Sequence, residues 1–288
     1  MFKLTTPTAV VCHDAGATNI ILGWLQAGLC SDVRAFMQGP AATLWRNTFP
    51  NKHLCSTLDE ALNGACTLLS GTGWASSLEH QARKAAHDRG IHSVAVLDHW
   101  VNYSERFERA GEIQWPCEVW VTDTYALDIA QKILPSVPVH QFENLYLNAQ
   151  VASISPAPCN GTILVVLEPV RNTWGQDREG EFQALDYLFE SLNWLWPDVK
   201  QVLLRPHPSE HSNKYESWQN RYSMAKIDAT GDVAVAISRA DVVVGVESFA
   251  LTIALAAGRP VYSTLPPWAP SLRLPHLGIK QIRYLGQL

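Results

Sequence analysis

Hydrophobic residues along this chain fall into short unbroken runs separated by stretches of helical spacing. TAVVC (8–12), ACTLLS (65–70), HSVAVLD (92–98) and EVWVTD (118–123) are too short for helices and rich in Val and Leu, which predicts strands buried on both faces. Between them the apolar positions repeat every three to four residues. This predicts helices from Asn19 to Ala27, closed by Gly28, from about Ser76 to Gly90, and over 124–133. Ser76 and Glu79 have capping-box spacing, and Gly90 is a C-terminal stop. A short strand is predicted near Val137 to Phe142. Residues 149–160, AQVASISPAPCN, lose periodicity, contain two prolines and predict a linker. The pattern then restarts, with strands at 162–167, 199–204 and 241–246. Helices are predicted over EFQALDYLFESLNWL, GDVAVAISRA and SFALTIALAAG, the last ended by Gly258, and VYST (261–264) begins a last strand.

Strands alternating with helices imply parallel β-α-β units. The expected architecture is α/β, with two Rossmann-like domains, 1–148 and 160–288, facing a central cleft. In open parallel sheets ligands bind beyond the carboxyl ends of the strands, so the residues after each strand are the candidates for chemistry. The net charge of −5 argues against a general nucleic-acid binder. No apolar stretch is long enough to span a membrane, although peripheral contact is left open. The six cysteines are scattered with no C-x-x-C pair, which fits reduced thiols in a cytoplasmic protein; Cys12 and Cys66 read as buried strand residues. Of the eleven tryptophans, Trp194 and Trp196 read as packing and Trp100 as a platform for a sugar ring.

The sharpest segment is Arg205-Pro206-His207-Pro208-Ser209-Glu210, directly after the strand 199–204. Each proline disfavours helical angles in the residue before it, so Arg205 and His207 are expected to be extended and to point to the same side. A guanidinium beside an imidazole at a strand end suits a phosphate. The other reading is a rigid turn carrying a surface Arg and His. Gly245-Val246-Glu247-Ser248 follows the strand 241–246 and opens a helix whose N-terminal amides attract anions, with Ser248 as cap or phosphate donor.

Together these two segments resemble the C-terminal half of GT-B-type glycosyltransferases. More narrowly they resemble bacterial CMP-sugar transferases for sialic or Kdo-type acids and the CDP-glycerol glycerophosphotransferases. Many of those relatives carry two adjacent serines, where this chain has Ser248 and Phe249. The resemblance implies that His207 and Ser248 hold the nucleotide phosphate, and that Glu168 and Arg171, in the first loop of the second half, face the ligand. Arg205, Ser209 and Glu247 complete the expected nucleotide site.

In the first half His13-Asp14-Ala15-Gly16 follows the first strand. Gly16 is not part of a G-x-G-x-x-G fingerprint, so a dinucleotide site is not supported. Asp14 is placed to act as the acceptor-activating base or, in the plainer reading, as a turn or cap residue. The run from Asp98 through His99, Trp100 and Tyr103 to Arg106 is dense in carboxylate, imidazole and ring groups suited to a sugar acceptor. Gly71-Thr72-Gly73 allows close backbone approach. The expected chemistry is metal-independent and cofactor-free, since the chain has no D-x-D, P-loop, H-E-x-x-H or G-x-S-x-G motif. Asp14, or else Asp98, takes the proton from a saccharide or lipid-linked acceptor, while Arg205, His207 and the helix start at Ser248 stabilise the leaving nucleotide, CMP being favoured. A non-hydrolysing nucleotide-sugar epimerase and a non-catalytic nucleotide-binding protein are the alternatives.

Overall fold

Strand β1 (Thr8–Cys12) illustrates why the unbroken apolar runs become strands. All five residues are buried; Val10 and Cys12 join one core cluster and Ala9 and Val11 another. Successive side chains of a strand leave opposite faces, so only a sheet covered on both sides buries them all. The computed structural model describes residues 3–73, 76–211 and 213–285. The chain divides into two compact units, Met1–Asn148 and Ala149–Leu288.

In unit 1, β1 is followed by α1 (Ala15–Gln26), β2 (Val33–Met37), α2 (Gly39–Thr48), α3 (Leu58–Leu62), β3 (Thr67–Ser70), α4 (Leu78–Asp88) and β4 (His92–Val96). A small antiparallel hairpin, β5 (Glu108–Arg109) and β6 (Glu112–Ile113), precedes β7 (Glu118–Val121), α5 (Thr124–Ile133) and β8 (Val139–Gln141), and α6 (Leu145–Ser153) carries the chain across the boundary after Asn148. The sheet order is β2-β1-β3-β4-β7-β8, parallel throughout. Trp24 and Phe142 pack on Trp120 at centroid distances of 5.6 and 4.4 Å, each such pair adding about 1 kcal/mol beyond area burial.

Unit 2 runs β9 (Thr162–Val166), α7 (Gly180–Leu195), β10 (Gln201–Arg205), α8 (Glu216–Gln219), β11 (Ala225–Ile227), α9 (Val233–Ser238), β12 (Val242–Gly245), α10 (Phe249–Ala256), β13 (Val261–Ser263), β14 (Ile279–Gln281) and α11 (Ile282–Leu285). Its sheet is again parallel, in the order β11-β10-β9-β12-β13-β14. Both sheets reverse direction once. Strand order turns back between β1 and β3 in unit 1 and between β9 and β12 in unit 2, which opens a crevice at the carboxyl ends of those strands.

Several expectations are corrected. Residues 145–153 form a helix, so most of the expected linker's first half is ordered; α6 buries no side chain, which is why its pattern looks aperiodic. Cys66 lies exposed just before β3. The strand at 261–263 is followed by a further strand, β14. The Ser76–Glu79 capping box does not form: Ser76 Oγ accepts from the Leu78 N–H at 3.0 Å, but the Glu79 carboxylate turns inward.

Candidate functional site

In unit 1 the turn after β1 is built around Glu79. Its side chain, 2% exposed, accepts from the His13 N–H at 2.8 Å, fixing the start of the loop. Burial holds the Glu79 carboxyl above its ordinary range. Asp14 stands at the N-cap of α1, yet its carboxylate makes no capping bond. It pairs instead with His13 Nδ1 at 2.6 Å. An ionised carboxylate only accepts, so this pairing puts the ring proton on Nδ1 and leaves Nε2 basic.

Three glycines make room for these side chains. A Cβ on Gly73 would lie 2.2 Å from Asp14 Oδ2, one on Gly39 2.7 Å from His13 Nε2, and one on Gly16 1.7 Å from Asp98 Oδ2. Gly16 is thus a packing requirement of Asp98. Gly71 plays the same part beside Glu79, with its Cβ position 3.2 Å from Oε1.

Asp98, at the end of β4, is held by Arg106 at 2.8 Å. Arg106 is itself buried and also donates to Thr72 Oγ1 and to the Val101 carbonyl. Thr72 in turn donates to the Val96 carbonyl at 3.0 Å. Three expected ligand contacts are therefore corrected: Thr72, Tyr103 and Arg106 lie inside the unit, and Thr72 and Arg106 brace the loop. Trp100 is only 7% exposed, and its Nε1 donates to the Asp123 carboxylate, so it presents no open ring face. His99 stays partly exposed, its Nδ1 accepting from the Trp100 N–H at 3.0 Å.

In unit 2 the expected Arg205–His207 phosphate pair is corrected as well. Arg205 Nη1 donates to Asp228 Oδ2 at 2.8 Å and to the Thr230 carbonyl at 2.7 Å, and Nη2 to the Gly231 carbonyl at 3.2 Å. Asp228 has a fully buried side chain, so the guanidinium is spent on neutralising a core carboxylate at the end of β11. His207 Nδ1 accepts from the Ser209 N–H at 3.2 Å and meets Ser209 Oγ at 2.7 Å, which leaves Nε2–H as a donor. Desolvation holds this imidazole below its ordinary value. Ser248 caps α10, its Oγ accepting from the Ala250 N–H at 3.3 Å.

At the β9–β12 switch point lies a cavity of about 370 Å³, lined among others by Glu168, Arg171, Trp174, Glu247, Ser271 and Arg273. Gly245 lets β12 lie close against Val166 of β9 beside this cavity, since a Cβ there would meet the Val166 carbonyl at 2.6 Å. Glu247 is clamped by Arg273, which donates from its backbone N–H at 2.6 Å, from Nε at 2.9 Å and from Nη2 at 2.6 Å. The Glu247 N–H donates to Glu168 Oε1 at 2.5 Å. Burial pushes the Glu168 carboxyl up to about 7, aided by the neighbouring Glu247 carboxylate and opposed by that N–H and by Arg273.

Arg273 and Glu79 are the residues that sequence reasoning missed. Arg273 sits in a proline-rich stretch with no periodic signal, and Glu79 was read as half of a capping box. Among the described residues His53, Cys55 and Glu60 have metal-ligand spacing. Glu60, however, accepts from the Ser56 N–H while its own N–H donates to Thr57 Oγ1, so its carboxylate is engaged in starting α3.

No family model matches the sequence, and no curated protein does. Among solved structures the chain is similar to UDP-GlcNAc 2-epimerase from Methanocaldococcus jannaschii, at 10% identity over 89% of this chain and 83% of that one, with a TM-score of 0.57. It is also similar to the glycotransferase of kitacinnamycin, at 13% identity over 93% of this chain and 81% of that one, with a TM-score of 0.50. At these identities the likeness speaks for the fold, which is the α/β, GT-B-type pair of Rossmann-like units.

Proposed function

We propose that the protein is a metal-independent glycosyltransferase that moves a sugar from a nucleotide-activated donor to a saccharide or lipid-linked acceptor, with a CMP-linked donor favoured and bacterial surface polysaccharide as the product class. The observation that carries this reading is the cavity at the switch point of unit 2, where two arginines stand on a fold shared with nucleotide-sugar enzymes. Residues 160–288 hold the nucleotide and residues 1–148 the acceptor. The proton of the acceptor hydroxyl goes to the His13–Asp14 pair, because Asp98 is committed to Arg106. Negative charge developing on the leaving phosphate is met by Arg171 and Arg273, with the Nε2–H of His207 and the start of α10 as further donors.

The second reading is a nucleotide-sugar epimerase, favoured by the structural likeness to UDP-GlcNAc 2-epimerase. Such an enzyme turns over its nucleotide sugar without an acceptor. A thermal-shift screen with CMP, CDP, UMP, UDP, GDP and ADP selects the nucleotide, since a ligand of the folded state raises its apparent stability. Incubating the matching nucleotide sugars with and without acceptor saccharides then separates the two. Product only with acceptor supports transfer, an epimerised nucleotide sugar without acceptor supports the second reading, and no stabilisation by any nucleotide refutes both.

A further inference from the structure

The cavity of unit 2 holds a charge arrangement that two arginines alone do not explain. Arg273 Nε and Nη2 are bound to Glu247, while Nη1 has no protein partner among the described residues. Arg171 is exposed and has no ion pair among them. Both therefore offer N–H donors to an anion in the cavity. Glu168 lines the same space, and one of its oxygens is fixed by the Glu247 N–H. An ionised Glu168 would repel the anion that the arginines attract. A protonated Glu168 would instead add a donor to it.

We propose that this cavity takes up the phosphate of its nucleotide together with one proton from solvent, carried by Glu168 as a hydrogen-bond donor to a phosphate oxygen. The proposal rests on the reading that unit 2 binds the nucleotide. The groups facing Glu168 are the Glu247 carboxylate and N–H at the end of β12, Arg273 after β13, Arg171 in its own loop, and the Glu210 and Tyr215 side chains after β10. Burial and the two carboxylates divide Glu168 between its two forms near neutral pH, the value being about 7. A phosphate in the cavity adds a like charge and shifts the balance to the acid. The bound complex then contains a neutral Glu168, two arginines and the anion, with Glu247 still neutralised by Arg273.

The test is calorimetric titration of CMP and of UDP into the wild-type protein and into Glu168→Gln. It is run at about pH 7.5 in two buffers of different ionisation enthalpy, and repeated up to about pH 8.5. The amide keeps an oxygen for the Glu247 N–H but carries no titrating proton. Wild type is expected to take up between about half a proton and one, and to lose affinity by up to about tenfold per pH unit above its midpoint. Glu168→Gln is expected to lack this uptake and to keep only the pH dependence of the nucleotide's own phosphate. The nucleotide's own phosphate proton, with a pKa of about 6, is common to both proteins and cancels. Binding to wild type without proton uptake, or equal uptake by the variant, overturns this proposal and leaves the nucleotide reading standing. Failure of CMP and UDP to bind either protein overturns both. If Glu168→Gln does not fold, binding to the wild type without proton uptake still overturns the proposal.

Discussion

Each unit is built on a parallel six-stranded sheet with one switch point, between β1 and β3 in unit 1 and between β9 and β12 in unit 2, but the two switch points are filled in opposite ways. In unit 1 side chains converge: Asp14 on His13, Asp98 on Arg106, and Glu79 beneath them, with glycines cut away to admit the carboxylates. In unit 2 the crevice stays open as a cavity, and the charged groups stand on its walls. The helix starts differ too. Asp14 occupies an N-cap position but gives its carboxylate to an imidazole, whereas Ser248 gives its hydroxyl to the cap. On the proposed function, proton transfer falls to unit 1 and anion binding to unit 2.

The strongest way to break this division is Asp14→Asn. The amide keeps the size of the side chain but removes the charge that orients His13, so transfer is expected to fall by about 10²–10⁴-fold. Nucleotide affinity, measured by calorimetry, is expected to stay within about twofold of wild type by the same division. Equal losses of both would place the nucleotide against unit 1.

Next in size is Arg205→Ala. Leaving Asp228 buried without Arg205 is expected to cost about 3–5 kcal/mol in urea unfolding, somewhat less where Arg239, at 3.2 Å, compensates. Nucleotide affinity of the folded fraction is expected to be unchanged. A loss of affinity with intact stability would return Arg205 to the phosphate site.

Gly73→Ala is a smaller perturbation with a local reading. Its Cβ would lie 2.2 Å from Asp14 Oδ2, so the carboxylate must move. A destabilisation of about 1–3 kcal/mol is expected, with a loss of transfer and unchanged nucleotide binding. Wild-type transfer by this variant would show that the Asp14 geometry is not needed.

The smallest expected effect is on pH-dependent stability. The folded-state value of Glu168 is raised to about 7, so the folded protein binds the proton more tightly than the unfolded chain. Its contribution therefore favours folding at low pH, declines as pH rises from the ordinary carboxyl value of about 4.5, and levels off above about 7. Glu168→Gln is expected to flatten this decline by about 1–2 kcal/mol in unfolding measurements between about pH 5 and 8. Parallel stability curves for the two proteins would mean that Glu168 is not held above its ordinary range.

Much of the architecture was legible because periodicity is a local property. The apolar runs at 8–12, 162–167 and 241–246 announce two-face burial, and the helix over 124–133 was read to its observed ends. What the runs could not announce were edge strands such as β2 and β11, whose burial is incomplete, or α6, which buries nothing. The polar residues that follow the apolar runs were also legible: His13-Asp14, Asp98, Glu168 and Glu247 all stand at or just beyond the ends of predicted strands. Which of them remain available was not. The Arg205 side chain meets Asp228, 23 residues on; Glu79 meets His13 across 66 residues; Arg273 meets Glu247 across 26. Each pairing depends on which strand ends the sheet order sets side by side. A charge in a folded interior takes the partner that desolvation makes most favourable, whatever its distance along the chain. The sequence alone thus determined the strands, the helices and the loops that carry polar side chains. The tertiary structure decided which guanidinium neutralises a core carboxylate and which faces a cavity.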